Sequence, residues 1–449
     1  MSRARRMLAT VVSGLVVLVA LSAPAAAEPI QVLRSPGGLE FWLIEDHAIP
    51  VVSLTVTFRR GGAAGDPDPL AGRAELVSTL LDEGAGHMDG PAFQERMRDL
   101  AAEMRARVGL DEFSVSLRML SRNRQESVKL LHLALSRPRF DDQAVDRMRA
   151  QALAGLRREA TRPAAIARTL WYRTAFPDHP YGRPVSGSEQ TLNAMTVADL
   201  RAFVADRLTR DRLVIGIAGD VTPDEARGLV DLAFGDLPAH GAGDPLPPAA
   251  VAAAGQTLIV DHSSPQATIL TGQLGLRRDD PDWYAALVMN HILGGGSFTS
   301  RLYSSVREES GLAYSVDSYL VAFDEVGVLQ ATAATANATA GDALNRMRAE
   351  WRRLATTPPT AEEVEAAQDF LVGSFPLTLT STTRIAATLA GLQIETLGAD
   401  YLQRREGLIR RVTAADVARV ARRLLQPDRL LTVVVGAPAG VTGEVVDSD

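Results

Sequence analysis

The chain's seven histidines are the first candidates for metal chemistry, and their spacing argues against a zinc grip. His47, His87, His132, His179, His240, His262 and His291 never fall within four residues of one another, so no helix turn can present two of them to one ion. Neither H-E-x-x-H nor H-x-x-E-H occurs, and the absence of cysteine removes both thiolate ligands and a thiol nucleophile. Only a site assembled from dispersed histidines remains, and lone histidines ordinarily serve as satisfied core or surface residues. Serine chemistry has no signature either: G-x-S-x-G and S-x-x-K are both missing. Gly294-Gly295-Gly296 is not a phosphate loop, because no lysine follows it and it closes a helix instead of opening one after a strand. Taken alone, the run is a helix stop followed by a turn.

The elements that must hold these residues form two matching series. The first half has an alternating strand over Val51 to Arg59, a turn at Gly61-Gly62 and Asp66-Pro67, and a helix over Ala71 to Leu81. The second has an alternating strand over Ala267 to Leu276, a turn at Asp280-Pro281, and a helix over Trp283 to Leu293. Strands are expected again at Phe113 to Leu120 and at Val326 to Ala333. Helix pairs follow them, Ser121 to Ser136 with Asp142 to Glu159, and Ala340 to Leu354 with Thr360 to Phe370. Each half closes with a helix and a strand: Val197 to Leu208 with Arg212 to Ala218, and Ala414 to Leu425 with Leu430 to Val435. The fold class is therefore α+β, a tandem repeat of two sheet-plus-helices units, each with helices on one face of its sheet. A Pro/Ala/Gly-rich stretch separates them. The expected limits are residues 28–237 for the first unit, 238–255 for the linker and 256–449 for the second.

After the three glycines comes Ser297-Phe298-Thr-Ser-Arg301-Leu302, then Tyr-Ser-Ser-Val306-Arg307-Glu308-Glu309-Ser-Gly311-Leu312-Ala313-Tyr314. A helix is expected over Ser300 to Ser310, with Leu302 and Val306 on its buried face, and a strand over Leu312 to Tyr319. On these grounds alone, Arg307 is a cation favoured near a helix C-terminus. Tyr314, in step with Leu312 and Val316, is a core aromatic with a polar tip.

The segment resembles the second half of the pitrilysin/insulinase family of zinc metallopeptidases, the inverzincins. The shared pattern is L-G-G-G-x-x-x-S-R-L-x-x-x-x-R-E-x-x-G-L-A-Y. Arg60-Gly61-Gly62, the Asp178-His-Pro-Tyr181-Gly-Arg-Pro184 loop and Gly219-Asp220-Val221 extend the likeness into the first half. The resemblance implies a clam-shell of two homologous halves. It also implies a zinc held by two histidines and a distal glutamate, a glutamate base, and an Arg–Tyr pair that holds the substrate backbone and donates to the oxyanion. Arg307 and Tyr314 match that pair and are the candidate catalytic residues. Gly294, Gly295, Gly296, Ser297 and Phe298 are candidate substrate contacts, with the glycines equally suited to a structural turn. The zinc motif is degenerate: Glu75, Ser78 and Thr79 stand where His, Glu and His belong. The distal glutamate is also missing, since Met148 to Arg158 contains no carboxylate and Glu159 follows it.

The expected chain is thus the non-zinc subunit of a heterodimeric metalloendopeptidase. It has no cofactor of its own, a zinc-bearing homologous partner, and short or unfolded peptides as substrate. The alternative is a catalytically inactive scaffold or peptide-holding protein of the same fold. Arg3, Arg5 and Arg6, the apolar run Met7 to Leu21 and Ala25-Ala26-Ala27 predict a cleaved signal over residues 1–27, and so export to the periplasm or medium. The net charge of -7 argues against a nucleic-acid partner.

Overall fold

The computed structural model describes residues 29–243 and 245–447. The expected signal, residues 1–27, lies outside them. In the first half, six strands form one sheet: β1 (Gln31–Arg34), β2 (Glu40–Glu45), β3 (Val51–Arg59), β4 (Glu103–Val108), β5 (Glu112–Leu120) and β6 (Leu213–Gly219). Their order is β1-β2-β6-β3-β5-β4. The second sheet holds β7 (Thr257–Asp261), β8 (Gln266–Leu274), β9 (Ala313–Ala322), β10 (Gly327–Ala336), β11 (Leu431–Gly436) and β12 (Glu444–Val445), ordered β9-β10-β8-β11-β7-β12. Reading β2-β6-β3-β5-β4 against β7-β11-β8-β10-β9 gives the same path. In each, the first pair is parallel (β2 with β6, β7 with β11) and the other neighbours are antiparallel. The repeat expected from the sequence is present in strand order and in strand direction.

Helices α1 (Arg73–Ser78), α2 (Arg124–Ser136), α3 (Asp142–Glu159), α4 (Pro163–Ala175) and α5 (Pro223–Phe234) belong to the first half. The second contributes α6 (Trp283–Asn290), α7 (Ala340–Thr356), α8 (Ala361–Gly373), α9 (Thr382–Ile394) and α10 (Ala414–Leu424). On one face of the first sheet, Val52, Leu54, Val56 and Phe58 of β3 enter a core with Val128 and Leu131 of α2 and Leu229 and Val230 of α5. The equivalent core of the second half joins Ile269 of β8 to Leu344 and Trp351 of α7 and Val417 and Val420 of α10.

Helices on a single face were expected, and the structure differs. The alternation in β3 suggests one dry face and one wet face, yet all but the last residue of the strand is buried. The opposite face is covered by α9, a helix from the other half. Ser53 Oγ is 2.9 Å from Thr382 Oγ1, and Gln393 Nε2 donates to the Ile215 carbonyl at 2.9 Å. Gly216 makes the approach possible, because a Cβ there would come within 2.2 Å of the Ala386 carbonyl oxygen. The exchange is reciprocal. Helix α4 of the first half lies on the second sheet, where Trp171 packs with Leu258, Val260, Leu431 and Val433 and its Nε1 donates to the Leu431 carbonyl at 3.1 Å. A Cβ on Gly272 would stand 2.8 Å from the Trp171 ring. Each half therefore lends one helix to close its neighbour's sheet. Between them, the described residues of 238–255 form no helix or strand.

The seam between the halves is also tied by hydrogen bonds. Asp111, in the β4–β5 turn, accepts from Tyr181 Oη at 2.6 Å and from the Asp324 N–H of the β9–β10 turn at 3.1 Å. Tyr181 belongs to the Asp178–Pro184 loop noted in the sequence and is fully buried. Burial first, and the charges of Asp324 and Glu325 after it, push the Asp111 carboxyl up to about 6. Glu112 beside it is pushed up to about 7 by burial and by Asp324 and Asp111.

Candidate functional site

The segment after α6 departs from regular helix twice. Trp283 to Leu293 was expected to be one helix, but α6 ends at Asn290 and a π-turn runs over His291–Gly295. The glycines there are packed. A Cβ on Gly294 would lie 2.5 Å from Ser318 Oγ of β9, and one on Gly296 would lie 2.8 Å from the His291 carbonyl. Close approach to β9 thus accounts for Gly294, which is buried, while Gly295, Ser297 and Phe298 face outward. Ser297 takes the left-handed conformation (φ 48°), and Phe298 is 69% exposed.

A second π-segment, Tyr303–Glu308, replaces the helix expected over Ser300 to Ser310. Leu302 and Val306 are both fully buried, so the expected inner face is correct. The wider turn is visible in its hydrogen bonds: Glu309 N–H donates to the Ser304 carbonyl at 2.9 Å, and Ser310 Oγ to the Ser305 carbonyl at 2.7 Å. Gly311, at φ 62°, ends it. Isolated π-turns of this kind cluster at functional sites.

Tyr314 is not a core aromatic, because strand β9 carries a bulge there. Its pairing with β10 steps from Ala313–Thr335 directly to Ser315–Ala334, leaving Tyr314 without a partner residue. The extra residue reverses its side, so Ala313 and Val316 stay buried while Tyr314 is 76% exposed. The bulge brings the tyrosine to Arg307. The guanidinium carbon lies 5.6 Å from the centre of the Tyr314 ring and 4.9 Å from that of Tyr303. Phe298 meets Tyr303 edge-on, with ring centres 5.1 Å apart. Neighbouring Arg301 donates from Nε and Nη2 to the two carboxylate oxygens of Glu363, each at 2.8 Å. Among the described residues, no carboxylate makes an ion pair with Arg307. The structure thus gathers Arg307, Tyr314 and Phe298 on one surface. Sequence reasoning missed Tyr303, whose only signal was its place four residues before Arg307.

The degenerate zinc positions lie on or just after α1, which is shorter than the expected Ala71 to Leu81. Ser78 Oγ donates to the Glu75 carbonyl at 2.7 Å and Thr79 Oγ1 to the Leu76 carbonyl at 2.8 Å, so both hydroxyls serve their own helix turn. Glu75 lines a cavity of about 220 Å³ with Thr79, Gln151 and Glu159. Burial, and then the charge of Glu159, raise the Glu75 carboxyl above its ordinary range. Glu159, which follows the carboxylate-free stretch Met148 to Arg158, thus shares the cavity at the end of α3. A zinc site takes at least three protein ligands from His, Cys, Asp and Glu. Two carboxylates without an imidazole do not fit it. Among the described residues, no group of three or more such side chains is placed to hold a metal.

With this geometry in view, residues 194–371 match the family model described as the peptidase M16 inactive domain. The chain is 29% identical to an uncharacterized zinc protease of Streptomyces coelicolor, over 89% of this chain and 88% of that protein. It is 31% identical to the probable mitochondrial-processing peptidase subunit beta of Schizosaccharomyces pombe, over 60% of this chain and 61% of that one. The crystal structure of a peptidase M16 inactive domain from Pseudomonas fluorescens superposes with a TM-score of 0.85 at 26% identity, covering 92% of this chain and 99% of that one.

Proposed function

This chain belongs to the M16 (pitrilysin/insulinase) peptidase family in its inactive form, and from that premise we propose that it is the non-zinc subunit of a two-subunit metalloendopeptidase. Its partner is a homologous chain that carries the H-x-x-E-H zinc site. The observation that carries this reading is the pairing of half-buried Arg307 with exposed Tyr314, an arginine that no carboxylate among the described residues engages. A chain without its own catalytic centre has no internal use for such a pair, whereas a partner's centre does. Likeness to a protein named as a processing-peptidase subunit supports a division of labour between homologous chains.

In the complex, the Arg307 guanidinium presents planar N–H donors to the backbone carbonyls of an extended peptide. The Tyr314 hydroxyl donates to the scissile carbonyl oxygen as charge builds there. Gly295, Ser297 and Phe298 border the same surface and contact the peptide. Substrates are short or unfolded peptides, and the complex works outside the cytoplasm after removal of residues 1–27. Co-expression with a zinc-bearing homologue tests the reading: the pair hydrolyses peptides, and the lone chain does not. A chelator-resistant peptidase activity of the lone chain would overturn it.

A second reading, an inactive scaffold or peptide holder, is favoured by the loss of every zinc-ligand position on α1. It predicts that substituting Arg307 or Tyr314 changes no rate.

A further inference from the structure

We infer that Tyr303 is a positioning residue that sets Arg307 for the work proposed above. A carboxylate holds the guanidinium by its N–H edge and so occupies the donors, as Glu363 does to Arg301. An aromatic ring holds it by its face and leaves the in-plane donors available. Arg307 is held in the second way, with its carbon 4.9 Å from the centre of the Tyr303 ring and 5.6 Å from that of Tyr314.

The two rings are not equivalent. Tyr314 projects from the bulge and is 76% exposed, so it contributes little restraint of its own. Tyr303 is half-buried, packs against the core cluster of the second half, and meets the Phe298 ring edge-to-face with centres 5.1 Å apart. Its main-chain N–H is tied to Ser300 Oγ at 3.3 Å. Tyr303 is therefore the fixed wall against which Arg307 rests, and Tyr314 is the outer member. Its role needs the ring face and not the hydroxyl, because that hydroxyl has no hydrogen-bond partner among the described residues.

This inference rests on the proposed role of the Arg–Tyr pair, and the test separates the two. Measure kcat/KM of the zinc-bearing complex with Tyr303→Ala, Tyr303→Phe, Arg307→Ala and the Tyr303→Ala/Arg307→Ala double variant. Tyr303→Ala is expected to lower kcat/KM on the order of tenfold, and Tyr303→Phe to restore most of the rate. Because Tyr303 acts through Arg307, the same change in the Arg307→Ala background lowers the rate by less than about twofold. Equal losses in both backgrounds, or a phenylalanine as damaging as alanine, would overturn the inference. An Arg307→Ala complex of unchanged rate would instead remove the underlying reading of the pair, and this inference with it. If Tyr303→Ala fails to fold, Tyr303→Leu takes its place in the same cycle, with the same two outcomes.

Discussion

Arg307 and Tyr314 meet because strand β9 has one residue too many. The bulge at Tyr314 carries the ring out of the core and sets it 5.6 Å from the Arg307 guanidinium carbon. Without the bulge, Tyr314 falls on the buried side with Leu312 and Val316, and no pair exists. A local break in pairing register thus creates the surface on which the functional reading depends, and the π-turns on either side of Ser297 build the rest of it.

The exchange of α4 and α9 makes the two halves mutually dependent. Gly216→Ala places a methyl against the Ala386 carbonyl, where the present gap to a built Cβ is 2.2 Å. The expected cost is about 1–3 kcal/mol, read as a lower denaturant midpoint in the intact chain. Residues 28–237 expressed alone leave the inner face of the first sheet uncovered and are expected to aggregate. Co-expression with residues 256–449 is expected to recover a soluble complex, checked by size-exclusion chromatography.

The seam between the halves weakens as pH rises. Asp111 and Glu112 have carboxyls pushed up to about 6 and about 7 in the folded chain, against ordinary values near 4. The folded state therefore holds protons that the unfolded chain releases. Their stabilising contribution is fully present below about pH 4 and is lost as pH climbs through about 6 to 7. Tyr181 and Arg59 face this cluster beside Asp324, Glu325 and Glu395. Asp111→Asn is expected to flatten the fall in stability between about pH 4 and 6 by up to about one proton, measured from denaturant midpoints across that range.

Glu75 carries the same sign in the first half. Its carboxyl is raised by burial and by Glu159, so ionising it destabilises the fold as pH increases. Glu75→Gln keeps the shape and removes the charge. A higher melting temperature than the parent above neutral pH, converging with it at acid pH, is the expected outcome of scanning calorimetry.

Much of the architecture was legible in the sequence because the signals are local. Strand β3 matches its expected limits, Val51 to Arg59, and α3 its own, Asp142 to Glu159, since hydrophobic period and flanking breakers fix such elements. What escaped depends on distant partners. The exchange of α4 and α9 cannot be read from either helix, because the surface each covers lies more than eighty residues away. The bulge at Tyr314 escaped too, since strict alternation assigns parity and a single unpaired residue reverses it. The cavity shared by Glu75 and Glu159 needed the packing of α1 against α3. The missing zinc motif, by contrast, was visible directly in the residues Glu75, Ser78 and Thr79.

The most direct test of the central claim is turnover of a peptide by the complex of this chain with a zinc-bearing homologue, compared with the same complex carrying Tyr314→Phe. The hydroxyl is at the surface, so stability is expected to change by less than about 0.5 kcal/mol. Loss of a donor to the developing oxyanion is expected to lower kcat by about 100-fold. A Tyr314→Phe complex that turns over at the parental rate would contradict the account and leave the chain a scaffold.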